Sequence, residues 1–128
     1  MASNQYQAAS PSQRRGGLGE DIAARHLQEA GLHVLARNLR FPVGELDLIC
    51  RDGDVLVFVE VRTRRNATQV HPLQTIGRRK QRRLIRAAQA FLQEHDPGAQ
   101  LACRFDVVAV LLEGEQPRIE WLPHAFWL

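Results

Sequence analysis

The sequence predicts an α/β domain in which a mixed β-sheet is flanked by helices. Three observations carry that expectation. A helical apolar period runs over residues 18–30, two β-rich runs are divided by Asp52-Gly53, and a nearly continuous apolar run at 103–112 follows a second helical stretch. The chain has 128 residues, which fits one domain with a single modest core.

Residues 1–16 are rich in Ala, Ser, Gln and Gly without apolar periodicity, so a flexible tail is expected there and a domain over 17–128. Leu18, Ile22, Leu27 and Ala30, with Ala23 and Ala24 between them, predict a first helix that Gly31 ends. LHVLAR (32–37) has the composition of a strand, and Asn38–Val43, with its Pro42, reads as a connection or a bent edge. GELDLICR and DVLVFVEVRTR then form a hairpin about Asp52-Gly53. Asn66–Gln74 is polar and reads as a loop. A second helix is expected from Thr75, a natural N-cap residue, with Leu84, Ala87, Ala88, Phe91 and Leu92 as its apolar stripe and a stop at His95–Gly98. CRFDVVAVLL (103–112) predicts a strand buried on both faces, and RIEWL a last strand pairing back. The order is α-β-β-β-α-β-β.

Composition excludes several classes. Apolar residues make up 45% and charged residues 24%, as in ordinary globular domains. No apolar run approaches the length of a membrane span, and the N-terminus lacks the apolar core of a secretory signal. Cys50 and Cys103 lie in separate apolar runs without metal-ligand spacing, which suits reduced thiols and a cytoplasmic protein. The formal charge is only +3, but Arg78, Arg79, Lys80, Arg82, Arg83 and Arg86 fall within nine residues. Arginine repeats every four residues there, opposite the apolar stripe, and such a face attracts phosphate. Binding that weakens steeply with salt is expected, with Arg64 and Arg65 extending the track.

Period-2 alternation supplies the central inference. Glu45, Asp47 and Ile49 share one face of the first hairpin strand, and Leu56, Phe58, Glu60 and Arg62 share a face of the second. A two-residue loop at Asp52-Gly53 pairs Arg51 with Asp54 and places Asp47 diagonally from Glu60. Like charges on an apolar face repel and lose solvation, so a hard cation is the natural compensation. Mg²⁺ fits best and Mn²⁺ is the alternative, since one or two carboxylates, water and a phosphate suffice. A solvated face with Glu60 paired to Arg62 or Arg64 is the plainer alternative. The apolar residues around Glu60 favour the metal site.

GELDLI followed by VFVEVRTR resembles the core of the PD-(D/E)xK nuclease superfamily. The whole pattern, covering nearly everything after the tail, resembles still more closely the uncharacterised bacterial YraN family, which is similar to archaeal Holliday junction resolvases. The matching segments are Gly17-Leu18-Gly19-Glu20 and Ala24, Asn38-Leu39-Arg40, Gly44–Ile49, Phe58–Arg64, Lys80 with Arg83 and Leu84, Arg104–Val107, and Ala125-Phe126. The resemblance implies a restriction-endonuclease-like α-β-β-β-α-β core and Mg²⁺-dependent cleavage of structured or branched DNA. It further implies Asp47 and Glu60 as ligands, Glu20 completing the acidic site, and a homodimer. Glu45, on the same predicted face, joins the ligand candidates.

One departure matters. The superfamily carries Glu-x-Lys on the second hairpin strand, and here the triplet is Glu60-Val61-Arg62. Arginine stabilises charge on a phosphate but does not serve as a base. Arg62 suffices with metal-generated hydroxide, or Lys80 reaches in from the second helix, or the protein binds nucleic acid without cutting it. Beside the nuclease and the binding protein, a third class, a basic face for an acidic protein partner, is weaker. Elsewhere, Asp106 in RFDVV suits an ion pair with Arg104 or another arginine. Trp121, Phe126 and Trp127 suit stacking on bases or packing back on the body.

Overall fold

The computed structural model describes residues 17–65 and 76–126. The elements run α1 (Gly17–Glu29), β1 (His33–Phe41), β2 (Gly44–Asp52), β3 (Val55–Arg64), α2 (Arg78–His95), β4 (Ala102–Leu111) and β5 (Arg118–Phe126). This is the expected order. The strands form one sheet in the order β1-β2-β3-β4-β5. Its pairs are antiparallel except β3 with β4, which α2 connects as a crossover.

The helices cover opposite faces. On one, Leu84, Ala87, Ala88 and Phe91 of α2 pack on Leu46, Ile49, Leu56, Phe58, Phe105 and Val107. On the other, Ala23, Ala24 and Leu27 of α1 pack on Leu48, Cys50, Val57, Val59, Val108 and Val110. Burial from Phe105 to Leu111 matches the strand expected to be covered on both sides. Among the described residues, no helix is long and apolar enough to cross a membrane.

Helix α1 ends as expected. Gly31 takes φ +100°, its N–H donates to Gln28 O, and the Leu32 N–H donates to Leu27 O, which satisfies the last carbonyls. Its contact stripe differs from the expected one. Gly19, Glu20, Ala23, Ala24 and Leu27 are buried, while Leu18 is exposed. Small residues let this helix approach closely: a Cβ at Gly19 would run into the Thr63 hydroxyl of β3.

Of the two readings of Asn38–Val43 the bent edge holds: Asn38–Phe41 continues the edge strand β1, and Pro42-Val43 turns the chain, since Phe41 pairs with Gly44. Two further boundaries differ. In the next hairpin Asp52 pairs with Val55, so the turn is Gly53-Asp54. Gly53 supplies the φ of +60° at the first turn position, where glycine is favoured, and this moves the register by two residues from the expected one. Helix α2 begins at Arg78 with Gly77 as N-cap. Gly77 makes no side-chain cap, and Thr75, the expected one, lies outside the described residues. Helix α2 stops at His95 with Asp96 as C-cap, as expected.

Candidate functional site

The β2–β3 ladder ends at Leu48 paired with Val59. Asp47 and Glu60 occupy the next positions, where the strands separate, so they face each other directly instead of diagonally. The Val61 N–H donates to Asp47 Oδ2 at 2.8 Å, replacing a backbone rung with a side-chain bond. The simple alternation assumed for β2 also breaks here. Leu46 and Ile49 both pack under α2, while Leu48 and Cys50 pack under α1. Asp47 sits at that switch of faces.

Its surroundings oppose its charge. Burial pushes the Asp47 carboxyl well above the usual carboxylate range, and the Glu60 charge adds to this. The Val61 N–H pulls the other way. Glu20 adds a further upward push from α1, and a hydrogen bond shared with Glu60 adds the last. The close fit of Gly19 on Thr63 is what brings Glu20 down over this fork, and Glu20 is buried. Gly19 was absent from the site residues expected from sequence; its glycine immediately before an acidic first-turn residue was the available signal.

Glu60 faces α2. Lys80 Nζ lies 3.4 Å from Glu60 Oε2, and the Glu60 side chain is only 13% exposed. Glu60, Arg62, Arg64 and Lys80 line an open cleft of about 370 Å³ together with Ile76 and Gly77. Of the three roles left open for the motif lysine, the geometry therefore brings two cations to the same cleft: Arg62 from the strand and Lys80 from the helix. Arg64 Nη1 donates to the Thr63 carbonyl at 2.8 Å.

Glu45 does not join the group. It is exposed, and its carboxylate accepts from Arg40 Nε at 2.7 Å across the β1–β2 hairpin. Among the described residues, no three His, Cys, Asp or Glu side chains are grouped closely enough to hold a metal ion alone. The Glu20 charge nevertheless bears on Asp47, and Asp47 and Glu60 are the two carboxylates that face each other. Two carboxylates are the number Mg²⁺ ordinarily takes from a protein when phosphate and water complete its shell.

The basic residues Arg78, Arg79, Lys80, Arg82, Arg83 and Arg86 are all exposed on α2. Arg79, Arg82, Arg83 and Arg86 line a second, larger cleft of about 690 Å³ against Pro42 and Val43 of the β1–β2 turn. Gly44 sets that approach, since a Cβ there would lie 3.1 Å from the Arg83 carbonyl oxygen.

Asp106 is fully buried and forms the expected pair with Arg104, whose Nε lies 3.0 Å from Asp106 Oδ1. Arg104 also reaches Asp52 at 2.9 Å. The Trp121 indole N–H donates to Asp106 at 2.9 Å and the His124 N–H at 3.1 Å. Phe126 stacks on Phe105 with ring centroids 4.5 Å apart. Trp121 and Phe126 are therefore committed to the body and not to stacking on bases, while Trp127 lies outside the described residues. Burial pushes the Cys50 thiol up to about 12, in keeping with an inert core cysteine. Cys103 is only partly buried.

Comparison with known proteins gives a consistent result. Residues 19–110 match the description "Uncharacterised protein family UPF0102". A UPF0102 protein of Stutzerimonas stutzeri is 46% identical over 117 residues, covering 91% of this chain and 98% of its own. One from Syntrophotalea carbinolica is 46% identical over 111 residues, 87% of this chain and 89% of its own. One from Coxiella burnetii is 41% identical over 116 residues, 91% of this chain and 94% of its own.

Proposed function

For this chain, which belongs to the uncharacterised protein family UPF0102, we propose a metal-dependent phosphodiesterase acting on nucleic acid, with Asp47 and Glu60 at its centre. The observation that carries the reading is Asp47 itself. Its carboxyl stands with Glu60 and Glu20 where burial and like charge both oppose ionisation. A hard divalent cation, Mg²⁺ or Mn²⁺, offsets such a cost, and the donor set fits it. Asp47 and Glu60 would hold the ion. When bound, it would polarise a phosphate and lower the pKa of an attacking water.

The remaining steps belong to the chain's own side chains. Lys80 presents its ammonium beside Glu60 and takes the place that the superfamily gives to a strand lysine. Arg62 and Arg64, on the wall of the same cleft, offer planar guanidinium groups to the non-bridging oxygens of a phosphate. The arginines of α2 hold the flanking backbone without reading bases, so binding follows salt more than sequence. DNA as the substrate, a preference for branched forms and a homodimer come from the resemblance to junction resolvases and belong to this proposal.

A second reading has one specific support: Arg62 stands where the motif has lysine. On that reading the protein binds nucleic acid and does not cut it. Cleavage assays on four-way junction, flap, single-stranded and duplex substrates separate the two, using wild type, Arg62→Lys, Lys80→Met and Asp47→Ala. The phosphodiesterase reading expects Mg²⁺- or Mn²⁺-dependent scission by wild type, lost in Asp47→Ala and reduced at least ten-fold in Lys80→Met. Scission by Arg62→Lys alone assigns the wild type to the binding role. No scission by any variant, with salt-sensitive binding intact in Asp47→Ala, rejects the enzyme.

A further inference from the structure

The fork between β2 and β3 has a counterpart on β1. Arg37 pairs with Leu48 and Leu39 with Leu46, so Asn38 lies between these rungs, across from Asp47. Asn38 takes φ +55°, a left-handed conformation inside a strand. Its effect is visible in the packing. Ala36 and Leu39, three residues apart, both lie against the α2 core, so β1 changes face at the level where β2 does. Both strands bend together at the Asn38–Asp47 step.

That bend explains the backbone of Asn38 and leaves the side chain unexplained. After glycine, asparagine is the residue that best accepts a left-handed φ, so the conformation alone calls for either. Glycine would bend the strand without adding a polar group. The Asn38 Nδ2 is instead buried with no hydrogen-bond partner among the described residues. Buried donors without acceptors are rare in folded proteins and point to a missing partner.

Asp47 is the nearest residue of the acidic centre by register. Carboxylates that ligate a cation are themselves hydrogen-bonded by outer groups that fix their orientation. Asp47 Oδ2 has the Val61 N–H in that role. Opposed residues of an antiparallel pair stand roughly 5 Å apart at Cβ, within reach of a short amide.

We propose that Asn38 is a positioning residue for Asp47, its side-chain amide donating to the Asp47 carboxylate when that carboxylate holds a divalent cation. The inference rests on the reading of Asp47 and Glu60 as cation ligands. It assigns the asparagine side chain to the site and only its backbone to the fold.

Asn38→Gly tests it, because glycine keeps the bend and removes the amide. Denaturant unfolding of the metal-free protein and calorimetric titration with Mn²⁺ are measured for wild type, Asn38→Gly and Asp47→Asn. The expected result is metal-free stability equal to or above wild type, with Mn²⁺ affinity about ten-fold weaker, the lower end of losses for outer-shell partners. In ¹⁵N spectra of the wild type, the Asn38 side-chain NH₂ pair shifts on adding Mg²⁺, and it does not shift in Asp47→Asn. Loss of stability or failure to fold in Asn38→Gly, or unchanged Mn²⁺ affinity, overturns the inference and returns the amide to a structural role. Absence of Mn²⁺ binding by wild type overturns the cation reading itself, which separates the two failures.

Discussion

Two aspartates sit within the same sheet, and their surroundings are opposite in kind. Asp106 is fully buried, yet Arg104, the Trp121 indole and the His124 N–H surround it with donors. Asp47 is only partly buried, yet the charges of Glu60 and Glu20 oppose its ionisation, and the Val61 N–H offsets them in part. The first arrangement ties β2, β4 and β5 together through Asp52, Arg104, Trp121 and His124. The second joins β2 to β3 through the Val61 N–H, yet it opposes the ionised state of the residue that ends the ladder. Burial by itself thus distinguishes neither role. The balance of donors against like charges does: it marks Asp106 as a fold-holding carboxylate and supports the ligand role proposed for Asp47.

Opposite environments predict opposite responses to substitution. Asp106→Ala leaves the Arg104 guanidinium with Asp52 as its one carboxylate and removes the acceptor of the Trp121 indole, and should cost about 3–5 kcal/mol in denaturant unfolding. A loss below 1 kcal/mol would break the contrast. Gly19→Ala forces a methyl into the Thr63 hydroxyl and should cost about 1–3 kcal/mol as overpacking, with Glu20 displaced from the fork. Asp47→Asn should instead stabilise the metal-free protein at neutral pH by about 1 kcal/mol, as relief of a functional site often does. The sign follows from linkage. A carboxyl raised in the folded state binds protons more tightly there than when unfolded, so stability falls as pH rises from the unfolded value through the folded one. The gain from Asp47→Asn should therefore fade toward pH 4, which melting over a pH series reads directly. The smallest effect is on binding alone: Arg82→Ala with Arg86→Ala should flatten the salt dependence of DNA affinity by roughly 2 in log–log slope while leaving Asp47 chemistry in place.

Much of this was legible from the sequence because periodicity reports on burial. All seven elements and their order followed from it, as did the Arg104–Asp106 pair, since a lone acid in an apolar strand has to find a cation. Register was less legible. The hairpin turn moved by one residue at each strand because Gly53, not Asp52, takes the positive φ, and a propensity for Asp-Gly does not say which position the glycine fills. Alternation also mistook the destination of Glu45, since the bends at Asn38 and Asp47 change which face each residue meets; Glu45 pairs with Arg40 on the surface. No local pattern marks such a paired bend. Lys80 was one of three answers to the missing motif lysine; the choice among them was not legible, because the approach of Lys80 to Glu60 depends on how α2 lies across β3, a tertiary fact.

The central question is whether Asp47 and Glu60 take up a divalent cation. Calorimetric titration of Mn²⁺ and Mg²⁺ into wild type and Asp47→Asn at neutral pH measures this without any nucleic acid. One ion per chain bound by wild type, with the heat abolished in Asp47→Asn, is the predicted result. Equal heats in both proteins, or none in wild type, would contradict it.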